Sequence, residues 1–190
     1  MDLSTWYYPL LERVIPTPTP PPRVRTSPMA VLCVGLPRSG TESLQVALQR
    51  LGYPTYHGWD ILFEEPTRYR AWSNLCRKKW YGVDAASASA GEREFTAEAD
   101  FDPLIGHAEA VCDAPANAFA MELIAAYPRA RVVLNVRRDL GDWHRSARVN
   151  LVERVNESWG VYVCTFFSPA LWWGWHLYER WLWYVLFGGF

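Results

Sequence analysis

The chain has 190 residues, half of them hydrophobic, with 11 Trp, 10 Tyr and 8 Phe. That length and apolarity suffice for a core of its own and exclude a disordered segment except locally. Its 19 Lys and Arg residues stand against 20 Asp and Glu, a near-neutral balance without the electrostatic footprint of a nucleic-acid-binding protein.

Lys78 and Lys79 are the only lysines. Positive charge is therefore almost wholly guanidinium, which suits planar recognition of phosphate or sulfate and which the base composition of a gene explains equally well. The cysteines, Cys33, Cys76, Cys112 and Cys164, are widely spaced without a CxxC. They read as reduced thiols, and no secretory leader pattern opens the chain. The expected location is intracellular, either cytoplasmic or peripherally membrane-associated.

Residues 1–29 form an N-terminal arm. Pro16, Pro18, Pro20, Pro21 and Pro22 favour extended polyproline structure. Before them Trp6, Tyr7, Tyr8, Leu10 and Leu11 suggest a short docking element. Residues 30–157 form the α/β core, beginning with a buried strand over Ala30–Val34. Thr41 to Leu51 has Leu44, Ala47, Leu48 and Leu51 at helical spacing, closed by Gly52. Tyr53–His57 is a second strand. Asp60 is the expected N-cap of a helix through Tyr69, Trp72 and Leu75, with Pro66 a possible break. Residues 82–100, small and polar, read as a surface excursion. Ala108–Cys112 is a third strand ending at Asp113, and Pro115 opens a helix through Phe119, Leu123 and Tyr127. Arg131–Val136 reads as a buried strand, followed by a helix from Asp139 past Leu151.

Residues 158–190 form an aromatic helical tail. No formal charge occurs from residue 161 to 178, at the lower limit for a bilayer span. Pro169, Gly174 and His176 interrupt it. Three readings stand: a helix packed on the domain, a cover over a greasy pocket, or peripheral membrane contact through residues 159–190. An exposed tail of this kind also invites homo-oligomerisation.

Alternating strands and helices predict a mainly parallel sheet flanked by helices, with its ligand at the carboxyl ends of the strands. Gly35–Thr41, His57, Asp113 and Arg137–Arg138 all fall at such ends. The sequence VLCVGLPRSGTES at residues 31–43 is a strand, a glycine loop and a helix start, an arrangement that cradles phosphate on backbone N–H groups. Gly35 and Gly40 allow positive φ, Ser39, Gly40 and Thr41 offer amides and hydroxyls, and Arg38 adds a fixed charge. A nucleoside-triphosphatase loop requires Lys where this chain has Thr41, so that chemistry is disfavoured. A plain strand-to-helix turn is the competing reading. Farther on, Ser146 lies eight residues after Arg138, about two helical turns. The two could reach one anion, or Arg138 could pair with Asp139 or Asp142.

With these pieces assembled, the chain resembles the sulfotransferases that use 3′-phosphoadenosine 5′-phosphosulfate, specifically the fungal-type sulfotransferase-like family often mislabelled as epimerases or dehydratases. The matching segments, in order, are GLPRSGTESL with ALQRLGYPTYH, Asp113-Ala114-Pro115, and AYPRARVVLNVRRD with Trp143 and Ser146. The resemblance implies a three-layer P-loop-like domain and transfer of a sulfuryl group to a hydroxyl of a small hydrophobic molecule, without a metal. It assigns Gly35, Pro37, Arg38, Ser39, Gly40, Thr41 and Glu42 to the 5′-phosphosulfate loop, and Arg138 and Ser146 to the 3′-phosphate. Arg38, standing where many relatives have lysine, would stabilise the leaving phosphate. For the base, His57 and Asp113 are both candidates; His57 is alternatively structural, and Asp113 alternatively caps the next helix. Family members continue into a further strand and helix, so the resemblance implies a domain lacking its last strand and helix. A non-catalytic or repurposed member of a biosynthetic pathway is the alternative function, and a membrane-associated interaction protein a third.

Overall fold

A computed structural model of the chain describes residues 8–15, 17–64, 66–81, 94–153, 159–176 and 182. In chain order the helices are α1 (Tyr8–Val14), α2 (Thr41–Arg50), α3 (Tyr69–Tyr81), α4 (Asp102–Ile105), α5 (Ala114–Ala118), α6 (Ala120–Ala126), α7 (Leu140–Ala147), α8 (Trp159–Thr165) and α9 (Pro169–Trp175). The strands are β1 (Val31–Cys33), β2 (Thr55–Tyr56), β3 (Ala110–Val111) and β4 (Arg131–Val133).

The four strands form one sheet in the order β2-β3-β1-β4, and every pairing is parallel. Val31 pairs with Ala110 and Leu32 with Val111, so side chains alternate between two faces in register. Leu32 and Val111 point into the larger core, which collects Trp72 and Cys76 of α3, Ile105 of α4, Leu123 of α6 and Trp172 and Trp173 of α9. Val31, Cys33, Ala110 and Cys112 point the other way onto Leu48 of α2. Helices on both faces of a parallel sheet are the expected three layers.

Both ends of the chain pack on this body. Leu11 and Ile15 of the N-terminal region contact the larger core. The extended residues beyond them are pinned through Arg25, whose Nε donates to Asp102 Oδ1 (2.5 Å) and whose Nη1 donates to the Ala108 carbonyl (2.7 Å). Trp173 Nε1 of α9 donates to the Ile15 carbonyl (3.0 Å), tying the aromatic tail to the arm. Trp6 and Tyr7, and most of the tail beyond His176, lie outside the described residues. No helix among those described is long and apolar enough to cross a membrane.

Four local expectations change. Arg131–Val136 is not a buried strand: β4 spans three residues at the sheet edge, with Val132 and Val133 of β4, then Leu134 and Val136, all exposed. An apolar run has the same pattern at an edge as at a centre, so hydropathy alone misplaces it. Asp60 does not cap forward; its Oδ2 accepts from the His57 backbone N–H (2.6 Å), and Asp60–Glu64 winds as a wider π-helical stretch before α3. Residues 82–93 of the expected excursion lie outside the described residues. The adjoining segment is no excursion, because Phe101 is fully buried and buried Asp100 binds Lys78 Nζ (2.7 Å). The single helix expected from Pro115 is two, α5 and α6, broken at Phe119 (φ −119, ψ 30), whose ring enters the core.

Candidate functional site

The loop between β1 and α2 turns on two left-handed residues, Gly40 (φ 90) and Arg38 (φ 67). Gly35 was expected to share that role, but its φ is not positive. A Cβ there would meet the backbone oxygen of Asn135 at 2.2 Å, so Gly35 lets β1 and the residues after β4 approach. A non-glycine at positive φ costs about 1–2 kcal/mol, which marks Arg38 as held in place.

Two residues that the sequence reading did not assign hold the loop. Asn135 Nδ2 donates to Ser39 Oγ (2.6 Å), and Trp143 Nε1 donates to the Pro37 carbonyl (2.9 Å). The signal that could have found Asn135 is its place as a polar residue inside the apolar run 132–136. Ser39 lines the cavity, with its hydroxyl donating to the Leu36 carbonyl (2.5 Å) and its amide to the same oxygen (3.3 Å). What remains for an anion is the start of α2. Its N-terminus has no side-chain cap, so the first-turn amides lack intrahelical partners.

The loop, its helix start, His57, Asp113, Arg137 and Arg138 line one cavity of about 1080 Å³. Asp139 caps α7 by accepting from the Asp142 N–H (2.8 Å), and Asp142 pairs with Arg145 (3.2 Å). The acidic neighbours are thus engaged elsewhere, and both arginines stand at the cavity. Ser146 meets the other arginine instead: Arg38 Nε donates to its Oγ at 3.2 Å. Pro37 and Glu42 are also on the lining; Glu42 is exposed in the first turn of α2.

At the cavity floor three side chains form a chain of hydrogen bonds. The Trp59 backbone N–H donates to His57 Nδ1 (3.1 Å), which fixes the tautomer, because an accepting Nδ1 leaves the proton on Nε2. Nε2–H then donates to Thr41 Oγ1 (3.3 Å), and the Thr41 hydroxyl donates to Asp113 Oδ1 (3.2 Å). His57 Nε2 lies 3.8 Å from Asp113 Oδ2. Asp113 itself sits at φ 64, ψ −145, and a Cβ on Gly58 would lie 2.4 Å from its Oδ2. Gly58 therefore makes room for the carboxylate. The side chain of Asp113 makes no cap for α5. Burial pushes the Cys112 thiol up, so it stays protonated beneath Thr41. Burial likewise raises Tyr69, whose hydroxyl donates to the Leu62 carbonyl (2.7 Å).

The cavity is also lined by apolar residues, Trp59, Leu62, Phe63, Val161, Leu171 and Trp175, of which Val161 comes from α8 and Leu171 and Trp175 from α9. A Cβ on Gly174 would lie 2.9 Å from the Tyr69 ring, so glycine lets α9 settle there.

The fold is a parallel α/β domain that brings an uncapped helix start and three arginines to one cavity. Residues 30–190 match the sulfotransferase domain, and the chain belongs to that family. A curated relative is the Ava biosynthesis cluster protein M of Aspergillus versicolor, 37% identical over 134 residues. The alignment covers 70% of this chain and 47% of that protein, so the chain spans about half its relative's length.

Proposed function

We propose that this protein transfers a sulfuryl group from 3′-phosphoadenosine 5′-phosphosulfate to a hydroxyl of a small hydrophobic molecule. The observation that carries the reading is one cavity lined both by guanidinium groups with the α2 N-terminus and by apolar rings. Its volume of about 1080 Å³ is at the upper end of ligand sites, in keeping with two ligands side by side. When bound, the nucleotide supplies the activated sulfuryl group. The first-turn amides of α2 and Arg38 would hold its 5′ end, and Arg138, with Arg137 beside it, its 3′ phosphate. Such fixed charges stabilise a developing anion without reorganising. Of the two base candidates the geometry favours Asp113. Both ring nitrogens of His57 are engaged in hydrogen bonds, which suits it to positioning Thr41 and Asp113.

Isothermal calorimetry with adenosine 3′,5′-bisphosphate tests the reading. Micromolar binding, weakened at least tenfold by Arg38→Gln and by Arg138→Gln, is expected. Absence of heat, or indifference to both substitutions, overturns it. A repurposed binding pocket is the second reading, favoured by the engagement of Ser39 and of Arg38 Nε within the protein. It predicts bisphosphate binding with no transfer to any acceptor. Exposed Trp159, Phe166 and Phe167 support peripheral membrane contact by the same tail, which vesicle flotation tests.

A further inference from the structure

The N-terminal arm carries a motif that the cavity does not use. Pro18, Pro20, Pro21 and Pro22 each lock their own φ, and each also holds the residue before it out of the helical region. Residues 17–22 are thereby committed to extended, polyproline II-like backbone by covalent geometry. Such a helix has three residues per turn, so its side chains stand in three rows. Burial along the arm follows that period. Thr17, Pro20 and Arg23 are half-buried, whereas Pro18, Pro21 and Val24 in the second row and Thr19 and Pro22 in the third are exposed. Pro18 and Pro21 stand one turn apart, about 9 Å.

The arm is also fastened to the body. The Arg23 amide donates to the Pro103 carbonyl (3.1 Å), and its Nη1 to the Leu104 carbonyl (2.5 Å). From the body, Arg68 Nη2 donates to the Pro21 carbonyl (3.2 Å) while its Nη1 holds the Pro103 carbonyl (3.0 Å). The segment is therefore ordered before any partner arrives, and association does not bear the entropy of ordering a loose chain. A groove touches only two rows of a three-sided helix. The two rows open here include prolines at i and i+3, the spacing of a PxxP ligand. Arg13, exposed in the last turn of α1, is the charge that precedes the ridge.

We propose that this ridge docks a proline-recognition module of the SH3 type, with a groove paved by aromatic rings and rimmed by carboxylates. Pro18 and Pro21 of one row, with Pro22 of the next, enter the spaces between the rings. The cationic Arg13 selects the acidic rim and sets the direction in which the ridge lies. No ridge residue lines the cavity, so the docking surface is separate from the transfer site and stands independently of the transfer reading.

The test titrates the full chain into an isotope-labelled SH3 domain that binds PxxP peptides and follows the amide shifts of that domain. Saturable shifts confined to its aromatic groove are expected. Pro18→Ala combined with Pro21→Ala should weaken binding at least about tenfold. Arg13→Gln should weaken it about threefold and flatten its salt dependence. Pro22→Glu sets a like charge against the acidic rim from an exposed position and should also weaken binding. Thr26→Ala, exposed beyond the ridge, should change nothing. Far-UV circular dichroism and Tm should stay unchanged in every variant, because none of the replaced side chains is buried. No shifts with the intact chain, shifts outside the groove, or binding that survives the double substitution overturns the proposal.

Discussion

Replacing Thr41 with Val keeps the shape of the side chain and removes its hydroxyl from between His57 and Asp113. Thr41 is 6% exposed and His57 2% exposed, so the bond between them is shielded from bulk water. The Nε2–H of His57 cannot move its proton to Nδ1 without losing the Trp59 amide bond, and its nearest remaining acceptor, Asp113 Oδ2, stands beyond hydrogen-bond distance at 3.8 Å. Such a stranded donor costs about 1–3 kcal/mol. At about 2–4 °C per kcal/mol for a chain of this size, Tm should fall by roughly 2–12 °C. Thr41→Ser retains the hydroxyl and loses one methyl, worth about 0.8 kcal/mol. Thermal unfolding followed by circular dichroism measures both. The double variant Thr41→Val with His57→Phe supplies the decisive control, since with the imidazole gone the valine should cost about 1 kcal/mol less than alone. Additive losses, or a serine as damaging as the valine, would refute the hydrogen-bond chain.

Gly35→Ala drives a methyl into the Asn135 backbone and should destabilise by about 3 kcal/mol or more, read as a lower urea midpoint. Gly40→Ala meets open space and bears only the left-handed backbone cost of about 1–2 kcal/mol. Asp102→Ala removes the acceptor shared by Arg25 (2.5 Å) and Tyr127 (2.6 Å); a loss of about 3 kcal/mol and faster proteolysis within residues 17–28 are expected. Burial, then the charges of Arg23, Arg68 and Arg25, push His107 down to about 4. The unfolded chain therefore takes up a proton that the folded one refuses, and stability falls as pH drops from ~6.5 towards 4. Because His107 is exposed along one side, screening limits the effect to about 1 kcal/mol, and His107→Gln should flatten the profile.

Sequence periodicity located β1, α2 and the strand ends that share the cavity, because a buried parallel strand and an amphipathic helix leave local patterns. It also brought Arg38, His57, Asp113 and Arg138 to one rim, since parallel topology puts strand ends together. Other features depend on contacts across the sheet. Whether β4 is central or marginal depends on its neighbours, and RVVLNV has the same appearance in either place. The division between His57 and Asp113 rests on one backbone amide, that of Trp59, which no spacing rule reveals. The Arg38–Ser146 contact joins residues 108 apart and required the folded chain. Gly58 was legible only as a neighbour of His57; its role comes from Asp113, contributed by another segment.

Among the described residues the outer edge of β4 pairs with no strand, and that edge governs how this chain behaves in company. Val132, Val133 and Leu134 form a proline-free stretch of strong strand formers, able to template pairing with another molecule. Arg131 before it and Arg137 and Arg138 after it act as electrostatic bumpers that hold such encounters apart. Added salt shortens their reach, so concentrated samples should cloud as ionic strength rises and clear on dilution into low salt.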